Sequence, residues 1–180
     1  RAVFRGAFDT QGTYELYSIA TTDGGGTPVK LNGPLYDDVQ SAYTITPDGQ
    51  NVVYLAEQDS YYEDLYIVPL LGGQSRRLNS QPSDSDVDED FSVSPDSQFV
   101  VYLAENDSYR DELFAAPLAG GAAFRLNGDL QSKGVVTDFE ISADSTTVVY
   151  RADQDTDNLY ELYRVPLAGG TAVKLSGAEV

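Results

Sequence analysis

The chain has 180 residues, of which 29 are acidic and 11 basic, so its formal charge at pH 7 is −18. This charge opposes binding to nucleic acids and to anionic membranes, and it permits cationic or basic partners. The alternative is that it provides solubility in a salty or extracellular setting. Cysteine and histidine are both absent, which excludes disulfides, thiolate catalysis and imidazole as a general base or metal ligand. The apolar runs are far too short for a membrane-inserted segment.

Four near-copies of one segment follow one another along the chain. The first is "AVFRGAFDTQGTYELYSIATTDGGGTPVKLN", and the others begin "NVVYLAEQDSYYEDLYIVP", "FVVYLAENDSYRDELFAAP" and "TVVYRADQDTDNLYELYRVP". The marker tyrosines Tyr54, Tyr102 and Tyr150 recur at a spacing of 48 residues. A fixed period of this size is typical of propellers and solenoids. We expect one domain over 1–180, with repeat units of roughly 1–36, 37–82, 83–130 and 131–180.

Each unit predicts four short strands, labelled A to D in chain order. Strand A is Tyr43–Thr46, Phe91–Ser94 or Phe139–Ser142, and a tight turn such as "PDG" or "PDS" follows it. Strand B ("VVYLA") is continuously apolar, which predicts burial on both faces. Strand C ("LYIVPL") ends at a glycine pair that marks a turn into strand D.

Strand D carries a basic residue at the same position in every unit. These residues are Lys30, Arg77, Arg125 and Lys174. Lysine or arginine on an outermost strand protects an unpaired sheet edge from aggregation. We therefore interpret these residues as structural rather than ligand-binding.

The residues "TITPDGQNVVY", "SVSPDSQFVVY" and "DELFAAPLAGGAAFRLN" resemble the TolB-type β-propeller repeat. The resemblance extends over essentially the whole chain and departs at Ala143, Ser97 and Ser145, where the family pattern has proline or glycine. It implies an all-β fold of propeller blades, each with four antiparallel strands. It also implies a protein-interaction domain in the periplasm or outside the cell, although related blades precede peptidase domains.

The first unit supplies strands B, C and D without the innermost strand A. The sequence thus predicts about four repeats, with three complete blades and one three-stranded blade. An open arc of blades would leave apolar faces uncovered. We expect the chain to be part of a larger ring or a half-ring that self-associates with another copy.

Antiparallel order assigns each loop to one side of the disc. The B–C loops and D–A connections share a side, called the loop face, and they hold most of the acidic residues. Asp90 and Asp138 precede strand A at matching positions and are predicted to line the channel mouth. Asp59, Asp107 and Asp155 lie at matching positions in the B–C loops. These five residues form our predicted binding face.

One B–C loop resembles the start of a calcium-binding loop. Asp153, Asp155 and Asp157 alternate along "DQDTDNLYE", and Glu161 follows. Alternating carboxylates in a turn can supply the oxygen ligands that calcium prefers. Asn158 stands where such a loop requires glycine. Calcium is therefore the one possible cofactor that the sequence suggests. The alternative is a solvated loop with Asx turns.

The sequence favours a noncatalytic β-propeller module that binds a protein, peptide or glycan through its acidic loop face. One alternative is a self-assembling extracellular repeat scaffold. Another is a fragment of a carboxylate-based hydrolase, in which Asp and Glu act as acid and base. Catalysis needs two carboxylates in different environments, whereas the acids here recur from blade to blade.

Overall fold

The computed structural model describes residues 1–22, 24, 26–79, 86–105 and 110–176. Throughout these ranges the secondary structure is strand and turn, without helices. The strands are β1 Ala2–Gly6, β2 Glu15–Ile19, β3 Val29–Lys30, β4 Val39–Ile45, β5 Asn51–Ala56, β6 Asp64–Pro69, β7 Arg76–Arg77, β8 Val87–Val93, β9 Phe99–Glu105, β10 Asp111–Pro117, β11 Phe124–Arg125, β12 Val136–Ile141, β13 Thr147–Ala152, β14 Glu161–Pro166 and β15 Val173–Lys174.

These strands form four separate antiparallel sheets, here called blades 1 to 4. Blade 1 has the order β1-β2-β3, and the others have the orders β4-β5-β6-β7, β8-β9-β10-β11 and β12-β13-β14-β15. Sequential antiparallel strands joined by short turns are the expected result of alternating strand and Gly or Pro-Asp turn signals. The prediction of an all-β fold, with three four-stranded blades and one three-stranded blade, is confirmed within the described residues.

The core lies between successive blades. Each blade has a back face, which packs against the preceding blade in blades 2 to 4, and a front face directed toward the next blade. Every back face carries a stacked aromatic pair from the B and C strands. The pairs are Phe4–Tyr17, Tyr54–Tyr66, Tyr102–Phe114 and Tyr150–Tyr163, with centroid separations of 5.9, 5.5, 5.8 and 5.3 Å.

Burial of strand B on both faces is confirmed for the two middle blades. In β5 and β9 the central residues are buried without interruption. In β13 burial alternates along the strand, because blade 4 packs against blade 3 on its back face alone. The prediction was therefore wrong for this terminal blade, and also for blade 1, where no residue of β1 is fully buried.

Strand A is longer than predicted, and its first half contains a β-bulge. In blade 3, Val87 pairs with Ala104 and Phe91 pairs with Tyr102. The three residues 88–90 therefore lie opposite the single residue Leu103. The sequence pattern predicts a loop here, because polar and acidic side chains interrupt the apolar pattern. The bulge keeps them in the strand while leaving their side chains exposed.

The serines that depart from the family turn pattern join neighbouring blades. Ser97 and Ser145 have φ angles of 58° and 59°, in the left-handed region that favours glycine. The Asp48 amide donates to Ser97 Oγ at 3.0 Å, and the Asp96 amide donates to Ser145 Oγ at the same distance. Each serine hydroxyl thus satisfies a backbone amide in the preceding blade's A–B turn, which a glycine could not do.

The strand D cations neutralise carboxylates at the start of strand C. In each blade the cation forms an ion pair with a buried acid on strand C. The acid precedes the residue directly opposite the cation by two positions. The pairs are Lys30–Glu15, Arg77–Asp64, Arg125–Glu112 and Lys174–Glu161. These acids are at most 8% exposed, so they contribute to internal stability and not to the open loop face.

Candidate ligand-binding clefts on the loop face

An acidic cleft of about 260 Å³ lies between blades 2 and 3. We call it the acidic cleft, and it is lined by Glu63, Asp86, Val87, Asp88, Glu89, Glu105 and Asp111. Its six carboxylates come from the B–C loops and strand ends of two blades and from the connection that leads into β8. Within the part of the chain that the structure describes, none of the six forms an ion pair.

The bulge in β8 concentrates the negative charge. It inserts Asp88 and Glu89 at the point where β8 leaves the pairing with β9. The Asp86 carboxylate accepts a hydrogen bond from the Glu63 amide at 2.9 Å, and Ser41 Oγ donates to Glu89 Oε2 at 3.1 Å. The Glu89 contact joins the bulge to blade 2, and the Asp86 contact joins the segment before β8 to the same blade, so acids from both blades line one cleft.

Two acids in the cleft have raised pKa values. Burial raises the pKa of Glu63, and the negative charges of Asp86 and Glu89 raise it further. Burial likewise raises the pKa of Asp111, with Asp88 and Glu105 adding to the effect. Asp111 also lies directly opposite Glu105 in the β9–β10 register, and like charges at such positions repel. A bound cation would relieve this repulsion.

A second cleft, the inner cleft, lies between the innermost strands of blades 3 and 4. Its volume is about 220 Å³, and it is lined by Asp90, Phe91, Ser92, Leu103, Asp138, Phe139 and Glu140. The structure thus brings together Asp90 and Asp138, which the sequence predicted to line the channel mouth. Both side chains are exposed. Their role in binding stays a prediction.

An exposed aromatic pair lies on the same loop face. Tyr36 and Tyr61 are 57% and 76% exposed, and their ring centroids are 4.5 Å apart. The Tyr36 amide donates to the Glu57 carbonyl at 2.8 Å. The pKa of Glu57 is raised by burial and then by the charges of Asp37 and Asp86. Asp86 also lines the acidic cleft, so Glu57 lies between the tyrosine pair and the cleft.

The other predicted face residues are dispersed. Asp59 is exposed on the B–C loop of blade 2, but Glu63 from the same loop enters the acidic cleft instead. Asp155 is on the B–C loop of blade 4 and pairs with Lys174 at 3.3 Å. Asp107 lies outside the described residues. Sequence reasoning placed Glu63 and Asp111 on the loop face without grouping them, because the bulge that brings the blades' acids together is invisible in a strand pattern.

The four residues proposed for calcium have other partners in the structure. Asp153 is 2% exposed, and its carboxylate accepts hydrogen bonds from the amides of Val135 and Asn158 at 2.7 and 3.0 Å. Asp155 and Glu161 both pair with Lys174, and Asp157 is exposed. In the described ranges no three acidic residues are arranged to hold a metal ion. Calcium binding at this loop stays a prediction.

The described residues include no helix long and apolar enough to cross a membrane. Comparison with family models gave no match, and comparison with curated proteins gave none either. Solved structures do match, at low sequence identity.

A TolB-assigned protein from Agrobacterium tumefaciens matches with a TM-score of 0.62 and 18% identity, over 91% of this chain and 55% of its own. TolB from Acinetobacter baumannii matches with a TM-score of 0.57 and 15% identity, over 99% and 41%. The β-propeller domain of the Trilobed protease from Pyrococcus furiosus matches with a TM-score of 0.59 and 15% identity, over 97% and 48%. The chain thus spans about half the length of these structures.

The blade order and these matches define the class of protein, which is a β-propeller. The fold is that of the TolB-like propellers, so the resemblance carried by the sequence repeats is confirmed as a likeness of fold.

Proposed function

We propose that the chain is a noncatalytic β-propeller binding module whose acidic cleft takes a cationic segment of a partner protein. The observation that carries this proposal is a cleft lined by six carboxylates, none of which forms an ion pair with any described residue. By contrast, the buried acid at the start of each strand C has its own lysine or arginine. The protein neutralises structural acids and leaves those of the cleft open.

The chemistry of the cleft favours binding over catalysis. A hydrolytic carboxylate pair requires one acid that is held protonated and another that stays ionised. In the acidic cleft the pKa values of Glu63 and Asp111 shift in the same direction, and four further carboxylates surround them. Such a site attracts lysine and arginine side chains through charge-assisted hydrogen bonds.

The tyrosine pair extends the proposed surface. Tyr36 and Tyr61 present exposed aromatic faces, on which a guanidinium or ammonium group can stack. A basic peptide with aromatic or arginine residues beside its charges therefore fits the combined surface better than a neutral glycan. By resemblance to the TolB-type repeat, we also propose a periplasmic or extracellular location.

The proposal is tested by titrating octalysine peptide into the protein by calorimetry. A variant with Glu63→Gln, Glu89→Gln and Glu105→Gln removes three cleft charges and keeps side-chain size. The matched control carries Asp9→Asn, Asp129→Asn and Asp157→Asn, which remove three exposed charges from the same face, away from the cleft and the tyrosine pair.

We expect the cleft variant to lose at least about tenfold in affinity, which corresponds to about 1.4 kcal/mol. The control should lose much less, because exposed charges at a distance are screened by salt. Equal losses in the two variants would show that octalysine responds to net charge alone and would refute the cleft as the binding site.

A further inference from the structure

A groove lies at the junction of blades 2 and 3 on the side of the disc that carries the A–B and C–D turns, here called the turn face. Its volume is about 200 Å³. It is lined by the polar side chains of Asn51, Gln74 and Arg76 from blade 2, and its apolar wall comes from the end of β6 and from Leu118 of blade 3. Among these lining residues Arg76 alone is charged, so the groove is basic in a protein whose formal charge is −18.

Blade 3 has apolar residues at the three polar positions. The equivalents of Asn51, Gln74 and Arg76 are Phe99, Ala122 and Phe124. Phe99 and Phe124 pack edge to face with ring centroids 6.3 Å apart. The Phe124 ring also reaches blade 4, because a Cβ on the turn residue Gly169 would lie 3.4 Å from it. Aromatic side chains therefore fill this position at the junction of blades 3 and 4.

The junction of blades 1 and 2 is filled by a smaller apolar side chain. Val29 occupies the strand D position of Arg76, and a Cβ on the turn residue Gly72 of blade 2 would lie 2.7 Å from Val29 Cγ1. A Cβ on the equivalent Gly120 of blade 3 would meet no described atom within 4 Å. The groove thus exists because blade 2 departs from the repeat, with a polar residue where its neighbours have an apolar one.

The polar groups of the groove are largely without partners. Arg76 Nη2 donates to the Leu118 carbonyl at 2.7 Å. Among the described residues the guanidinium makes no other hydrogen bond and no ion pair, and the side-chain amides of Asn51 and Gln74 have no hydrogen-bond partner. The next residue, Arg77, differs in that it pairs with Asp64. Most of the five N–H donors of Arg76 therefore remain available to a ligand.

These groups suit a carboxylate at the end of a chain. A guanidinium binds a carboxylate through two parallel N–H···O bonds, and the amides of Asn51 and Gln74 can donate to the last peptide group. Ile67, Pro69 and Leu118 supply apolar surface for the last side chain. The groove is smaller than the range of about 300–1,000 Å³ typical of sites for whole small molecules, which favours a single terminal residue.

We propose that this groove binds the C-terminal carboxylate of a partner polypeptide whose last residue is apolar. Arg76 is the charged anchor, held in place by its bond to the Leu118 carbonyl. The groove lies on the opposite side of the disc from the acidic cleft and takes a ligand of opposite charge. Binding at one site is therefore independent of binding at the other.

The test titrates three peptides into the protein and follows backbone amide chemical shifts at physiological salt, where long-range repulsion is screened. The peptides are acetyl-Gly-Ala-Leu with a free carboxyl group, the same peptide as its C-terminal amide, and acetyl-Gly-Glu-Ala amide, whose carboxylate is internal. We expect the free acid to shift Gln74, Leu118 and Gly120, and the other two peptides to bind at least about tenfold more weakly. Equal binding of the C-terminal amide would overturn recognition of the carboxylate, and equal binding of the internal glutamate would overturn recognition of a chain end.

Variants assign the binding to the groove. Arg76→Gln should weaken the free acid at least about tenfold, whereas Lys133→Gln, which removes an exposed cation from the loop face, should leave its affinity unchanged. The double variant Asn51→Phe and Arg76→Phe builds the aromatic pair of blade 3 into blade 2 and should abolish binding. Urea unfolding measures whether each variant is folded. An unchanged affinity in folded Arg76→Gln, or free-acid shifts confined to residues outside the groove, would overturn the proposal.

Discussion

The A–B turns offer a sharp test of how the blades are joined. Ser97 in blade 3 adopts a φ of 58° and accepts a hydrogen bond from the Asp48 amide of blade 2 at 3.0 Å. The equivalent turn of blade 2 has Gly49 at a φ of 70°. In the described part of blade 1 there is no A–B turn, and so no amide is available for a serine at position 49.

The free energies follow from two opposing effects. A left-handed conformation costs a residue with a Cβ about 1 kcal/mol, and a hydrogen bond of this kind contributes about 1 kcal/mol. Ser97→Ala keeps the strain and loses the bond, so it should destabilise the fold by about 1 kcal/mol. Ser97→Gly loses both, so it should remain within about 0.5 kcal/mol of the wild type.

Gly49→Ser provides the matched control. A Cβ there meets no atom within 4 Å, so the substitution adds strain without a clash or a hydrogen bond. It should destabilise the fold by about 1 kcal/mol. Urea unfolding measures all three variants, at an unchanged m-value. A neutral Ser97→Ala, or a Ser97→Gly less stable than Ser97→Ala, would refute this explanation of the serine turns.

Three further predictions concern the core, the cleft and calcium. Leu113→Ala should lower the free energy of unfolding in urea by about 2–5 kcal/mol because the leucine is fully buried. The equivalent Leu162→Ala should lower it by under about 1 kcal/mol because Leu162 is 46% exposed; equal losses would contradict this difference in burial. Because the folded-state pKa of Glu63 is raised, its ionisation destabilises the fold as pH rises through that pKa. Glu63→Gln should therefore raise the urea midpoint at pH 7, and the gain should vanish below the ordinary glutamate pKa of 4.5; a pH-independent gain would rule out charge as its cause. If the loop at 153–161 binds calcium, millimolar calcium should raise the melting temperature of the wild type more than that of Asp157→Asn, and the absence of any shift would remove the calcium hypothesis.

Much of the fold could be predicted because the repeat reports the same turn and strand signals several times over. The Gly pairs and Pro-Asp turns located the strands, and antiparallel order then assigned the loops to two sides. The bulge at Asp88–Asp90 could not be predicted, since a bulge changes pairing without changing the apolar pattern of its neighbours. For the same reason Glu105 and Asp111 were not recognised as cleft partners of residues from another blade.

The strand D cations show a second limit of sequence reasoning. Their recurrence identified Arg77 and Lys174 as structural, but their partners, Asp64 and Glu161, were counted with the open acids of the loop face. Each cation pairs with the acid that lies two residues before its direct cross-strand partner. This strand register determines which carboxylates are neutralised. Among the described residues, the open charge therefore belongs to fewer acids than the sequence suggests, and six of these acids lie together between blades 2 and 3.

The proposed binding site is tested most directly by following backbone amide chemical shifts during octalysine titration. The account predicts that the largest shifts occur at Glu63, Glu89, Glu105 and Asp111, with smaller shifts at Tyr36 and Tyr61. Shifts confined to the A–B and C–D turns, or spread evenly over all exposed acids, would contradict the claim that the acidic cleft binds the cationic partner.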